Sequence, residues 1–241
     1  MVLLEKDGGL SFSSSFPFCS YSDQLSCHTE ELAPYRKYCG GFLSQRLVDE
    51  NGETAGFRLV SLMNSGEVLQ SVRLYEPGLS DIFIRRIGNQ SEINTEVFRT
   101  AGKKIIDDVL RSFHKDRQLR FCLLDELGGV ELREPEFMDA VYRLLDSGIP
   151  CIGVLKSRKN LHSMGTRMAL GGEMPNLREE FETRLIDQYK CRLMVCHRAM
   201  SREAGMSQEA HIQQQTNMEH ETYIRQEVRA FLNQWNINTE L

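Results

Sequence analysis

Residues 120–134 read "RFCLLDELGGVELRE". An apolar run, Phe121 to Leu124, leads straight into the adjacent acids Asp125 and Glu126, then Gly128, Gly129 and Glu131. A continuous apolar run without alternation suits a strand buried on both faces, and such strands belong to parallel sheets. Ligands of these sheets bind beyond the carboxyl ends of the strands. The acidic pair therefore has two readings: a seat for a metal and an activated water, or a strand that simply stops before a loop. Neighbouring strand residues point to opposite faces, which would give the two carboxylates separate tasks.

The flanking sequence makes the parallel sheet the stronger frame. Ser91 to Phe113 carries Val97, Ala101, Ile105, Val109 and Phe113 at four-residue spacing, widened by Phe98 and Leu110, and predicts a helix capped by Ser91 or Asn94. A strand over 120–126 follows. Pro135 suits a first helical position and Gly148 an end, with Phe137, Met138, Val141, Leu144 and Leu145 inward. Residues 149–155 are a second apolar strand, 176–189 an amphipathic helix and 191–196 a further strand. A closing helix, around Met218–Trp235, follows a polar insertion. Alternation of this kind means a sheet covered by helices on both faces.

Before residue 91 the pattern changes. "GGFLSQRLV", "GFRLVSLM" and "VLQSVRLYE" are β-rich, and Asn51-Gly52 and Ser65-Gly66 supply turn positions. They predict a three-stranded antiparallel meander. Residues 10–22 read as irregular, with a short helix after them ended by Pro34. The expected architecture is a three-layer α/β domain, with a mostly parallel sheet and an antiparallel meander near its start. Residues 1–37 form an atypical N-terminal segment and residues 38–241 a single domain.

Composition narrows the function. A net charge of −5 argues against a nucleic-acid footprint, which is normally basic. No apolar run approaches the roughly 18 residues that span a bilayer, and Glu5 and Asp7 interrupt the opening apolar stretch, so a signal peptide is not expected. Seven cysteines without a secretion signal suggest reduced thiols in a cytoplasmic protein; Cys19, Cys27, Cys39, Cys191 and Cys196 lack the spacing of a zinc site. No G-x-S-x-G is present to suggest a serine hydrolase.

An apolar strand ending in Asp-Glu has the form of a Walker B element. Beyond that form, "DELGGVEL" (125–132) resembles the D-E-I-G-x-M-E-L block of the cancer-related, or thermophile-type, nucleoside-triphosphatase family of P-loop proteins. Asp125, Glu126, Gly128, Glu131 and Leu132 match. Gly41-Phe42 and Gly56-Phe57 are similar to the family's meander, and the likeness spans about 38–200. The resemblance implies a P-loop NTPase-like fold and magnesium-dependent hydrolysis of nucleoside triphosphates. Asp125 would place Mg2+, Glu126 would act as general base, and Glu131 would support the site.

The chain also departs from the family. Its G-x-x-x-x-G-K-[ST] loop, which wraps phosphates in backbone N–H groups, occurs nowhere in the 241 residues. Gly102-Lys103 lies inside a predicted helix. In the meander, Gln45 and Arg46 stand where the family has Glu, and Thr54 where it has Arg. Three readings follow: a non-catalytic binding or regulatory protein on the same fold, an unconventional phosphate cradle using Lys156, Arg158 and Lys159, or one half of a split NTPase. The loop-bearing strand is expected beside the Walker B strand. Its absence would expose strand edges that residues 10–18, a rearranged strand or a protein partner must cover.

Overall fold

The protein is described from a computed structural model, which defines residues 2–7, 33–63, 72–88, 90–113, 115, 118–156, 173–197, 226 and 229–234. The strands are β1 (Val2–Asp7), β2 (Cys39–Val48), β3 (Thr54–Ser61), β4 (Val72–Leu74), β5 (Ile82–Ile87), β6 (Gln90–Ile93), β7 (Phe121–Leu127), β8 (Cys151–Lys156) and β9 (Arg192–His197). The helices are α1 (Lys103–Phe113), α2 (Pro135–Asp146) and α3 (Met174–Asp187). Residues 229–234 are also helical. The predicted stretch 10–22, the short helix after it, and the polar insertion lie outside the described residues.

All described strands join one mixed sheet in the order β6-β5-β3-β2-β7-β8-β1-β9, with β4 also beside β2. From β2 through β7, β8 and β1 to β9 every pairing is parallel. β2, β3, β5 and β6 pair antiparallel. The α/β architecture with its antiparallel start is therefore as expected. β8 is buried at every position and β2 at all but its last; the apolar run of β8 reflects this, while β2 also buries Ser44, Gln45 and Arg46.

Two apolar layers sandwich the sheet. On one face α1, α2 and α3 contribute Ile106, Val109, Phe137, Val141, Phe181 and Leu185 against Phe42, Cys122 and Leu124. On the other, Phe231 and Leu232 pack with Leu43, Phe121, Leu123 and Ile152. An aromatic chain Phe83–Phe98–Phe137–Phe42, with ring centroids 4.9, 5.4 and 6.0 Å apart, ties the meander to α2. Such pairs add about 0.5–1.5 kcal/mol each beyond their burial.

Several expectations need correction. A loop-bearing strand is expected beside the acidic strand, but the strand formed by residues 2–7, a stretch without strand periodicity, lies one place further out, with β8 between them. In the third meander strand the described residues Val72–Leu74 pair parallel to β2, and the antiparallel pairing is made by Ile82–Ile87 and Gln90–Ile93. Ser91 is thus in a strand. Asn94 N–H donates to Phe83 O at 3.0 Å rather than starting a helix, and helical structure begins at Glu96. A π turn, Phe98–Gly102, leads into α1. A Cβ on Gly102 would lie 2.9 Å from the Phe137 ring.

Gly41 shows why β2 and β7 can lie so close. Its φ is +100°, and a Cβ there would sit 2.0 Å from Leu123 O. Gly41→Ala is therefore expected to lower folding stability by at least about 2 kcal/mol, measured by urea unfolding against wild type.

Candidate functional site

β7 is irregular at the acidic pair. Against β8, Leu124 pairs with Gly153 and Leu127 with Leu155, so Asp125 and Glu126 together oppose one residue. This is a β-bulge, a device that re-aims side chains and recurs beside functional sites. Leu124 and Leu127 then both face the same core, and simple alternation across the pair is lost. The strand does not stop at the acids; it bulges and continues to Leu127.

The bulge opens a gap beside β2. β7 pairs with β2 only as far as Phe42, and β4 takes up β2 from Arg46. Ser44 lies between these partners, and its N–H donates to Asp125 Oδ2 at 2.8 Å. Asp125 is only 4% exposed. Its carboxylate therefore closes a break in the ladder at the carboxyl edge of the parallel strands. The side chain of Glu126 lies outside the described residues.

Behind the bulge, the loop folds onto its own acid. Gly128 and Gly129 N–H donate to Glu131 Oε1 at 2.5 and 2.7 Å. A Cβ on Gly129 would meet Glu131 Oε2 at 3.0 Å and Lys156 Nζ at 3.2 Å. Carboxylate and ammonium thus crowd one face of that glycine. Glu131 is 2% exposed and Lys156 7%. Burial pushes the Glu131 carboxyl above its usual range, opposed by the Lys156 charge and the loop N–H groups.

Arg178, from α3, completes the arrangement and was missed by the sequence reading. It is fully buried. Nε donates to Lys156 O at 3.1 Å, and Nη1 to Glu182 Oε2 at 2.6 Å. Its Cδ and Nε lie 2.7 Å from where a Cβ on Gly128 would stand, and Gly128 has φ +93°. The only sequence signal was the Arg178/Glu182 spacing of four, which a solvated helix shares.

Asp125, Glu131 and Lys156 therefore lie along the end of β7, the loop after it and the end of β8. Arg158 and Lys159 lie outside the described residues. Thr54 sits elsewhere, in an open cavity of about 570 Å3 with Asp49, Tyr75 and Arg85. Magnesium is usually held by one or two carboxylates together with substrate phosphates and water. Asp125 suits that mode, and among the described residues no cluster of three or more His, Cys, Asp and Glu forms a cage. Cys39, Cys122, Cys151 and Cys191 are buried free thiols. Burial pushes the Cys191 thiol up to about 11, against nucleophilic chemistry.

Residues 29–180, more than half of the chain, match the sequence model of a family described as NTPase. No curated protein matches. Among solved structures the chain is similar to THEP1 from the hyperthermophile Aquifex aeolicus. Identity there is 17% and the TM-score 0.45, covering 80% of this chain and 88% of that one.

Glu131→Ala would orphan two N–H groups and remove the carboxylate beside Lys156, so a loss of about 3–5 kcal/mol is expected by urea unfolding at pH 7. Glu131→Gln, which keeps an acceptor, should lose less. Because the folded carboxyl titrates above 4.5, its favourable contribution is complete below that pH and declines as pH rises through the folded value. The stability of wild type relative to Glu131→Gln should fall in that direction.

Proposed function

This chain belongs to the NTPase family, and we propose that it binds a nucleoside triphosphate with magnesium at the carboxyl edge of β7 and β8 but turns it over poorly. The observation that carries the reading is a buried acidic bulge at that edge, in a chain whose 241 residues hold no G-x-x-x-x-G-K-[ST]. Asp125 would hold the magnesium, with one carboxylate oxygen already steadied by the Ser44 N–H. Glu126 is the general base toward the attacking water. Glu131 acts at one remove, fixing the Gly128–Gly129 turn, and Lys156 adds positive field while facing Glu131. Magnesium, when bound with nucleotide, neutralises phosphate charge as the γ-phosphoryl group transfers.

Poor turnover follows from electrostatics. Phosphoryl transfer is almost entirely positioning and charge stabilisation, and a phosphate loop supplies both through backbone N–H groups and a mobile Lys. In this sequence β1 is followed by "GGLSFSSS", which has two adjacent glycines and no Lys. Lys156, the described Lys at the end of β8, is buried and shares its field with Glu131.

Titration with purine and pyrimidine nucleoside triphosphates, with and without magnesium, together with a phosphate-release assay, tests this. Magnesium-dependent binding is expected, with turnover at least about 100-fold below a typical 1–100 s−1 phosphoryl-transfer enzyme. The residual release should vanish in Glu126→Gln while binding persists. Absence of binding by any triphosphate at millimolar concentration would favour the non-catalytic reading. Turnover in the ordinary range would remove the claim of impairment.

A further inference from the structure

Arg46 lies on β2, two residues beyond the Ser44 N–H that meets Asp125, and so about 7 Å further toward the carboxyl edge. It pairs in register with Phe57 on one side and Val72 on the other. By alternation it shares the face of Phe42, the face covered by α1 to α3. Only 9% of it is exposed, and its Nε is closed off from solvent with no hydrogen-bond partner.

That is unusual chemistry for an interior. A guanidinium stays charged at any pH a protein tolerates, and a buried charge without a counter-ion is costly. Nearby cations are accommodated. Arg58 Nε donates to Gln45 Oε1 at 2.7 Å, and Arg178 is ion-paired to Glu182. Arg46 has no such partner among the described residues. Its planar fork of donors matches a phosphate oxyanion, and it lies where parallel sheets take their ligands.

We propose that Arg46 is a phosphate-binding residue of this chain, its guanidinium taking an oxyanion of the polyphosphate beside the Asp125 bulge. The inference deepens the nucleotide reading above and rests on it for the ligand's identity. It assigns the grip on phosphate to a strand side chain on β2, in place of a glycine-rich loop.

The test compares wild type, Arg46→Met and Arg46→Lys by thermal unfolding and calorimetric titration, with inorganic tripolyphosphate, a nucleoside triphosphate and the phosphate-free nucleoside as probes. Without ligand, Arg46→Met should melt at or above the wild-type temperature, because an unpaired buried charge gives way to a hydrophobe. Its affinity for tripolyphosphate and for triphosphate should drop at least about tenfold, while Arg46→Lys, which keeps the charge but not the fork, falls between. Should Arg46→Met fail to fold, Arg46→Lys decides, with at least about threefold weaker binding expected. If wild type binds tripolyphosphate through Arg46 but not nucleoside triphosphate, the anion site stands and the nucleotide reading falls. If triphosphate binds wild type and both variants equally, the nucleotide reading stands and the role of Arg46 is overturned. It is overturned equally if neither phosphate probe binds wild type at millimolar concentration, or if Arg46→Met melts well below wild type while binding as tightly.

Discussion

The Glu131 carboxylate holds the carboxyl edge of this sheet together. It accepts from two consecutive backbone N–H groups and faces Lys156, whose own carbonyl is held by Arg178, which in turn packs on the first of the two glycines. The circuit links the loop after β7, the last residue of β8 and helix α3. In such an interior, removing one charged member costs more than the pair contributes, because the survivor stays buried without compensation. Each member is therefore fixed by the others, and the Gly128-Gly129 pair is fixed with them: the first must adopt φ +93° beneath Arg178, the second must present a bare Cα to the two charges.

That anchoring gives the bulge its significance. A bulge beside a loose loop would fluctuate, and its side chains would sample many directions. Here the strand re-enters regular pairing at Leu127, which is fully buried and followed at once by the anchored turn. Asp125 is thus pinned on both sides and satisfies the Ser44 N–H that β7 has left and β4 has not yet reached. A rigid carboxylate with one oxygen already hydrogen-bonded is suited to present a fixed field to a hydrated cation, as pre-organised sites require.

The fold was legible where periodicity carries information. The apolar runs of β7 and β8 and the four-residue stripe of α1 each report burial directly, and Pro135 and Gly148 mark the bounds of α2 by backbone chemistry. It was illegible where partners decide. β1 carries Glu5, Lys6 and Asp7 in half its length, so only its place between β8 and β9 marks it as a strand. β5 and β6 were hidden because Ser91 resembles a helix cap as readily as a strand residue. The bulge arises from the register with β8, which no feature of residues 120–134 encodes. Asp125, Glu131 and Lys156 were singled out from the sequence, and the fold brings them to one edge; Arg178 was not singled out, since its depth comes from α3 crossing the loop.

The distribution of charge at this edge favours a ligand carrying both signs. Lys156 and Glu131 face each other, and Arg178 is matched by Glu182. Also buried there are Asp125, which accepts from the Ser44 N–H, and Arg46, two residues further along β2, whose Nε has no hydrogen-bond partner. A bare cation would suit only the acid, and a bare phosphate only the base. A magnesium-bound polyphosphate presents a dication and an oxyanion a few ångströms apart, so one ligand answers both. On the proposed reading, a guanidinium on a strand would hold a ground-state phosphate but could not follow the charge as it moves toward the leaving oxygen.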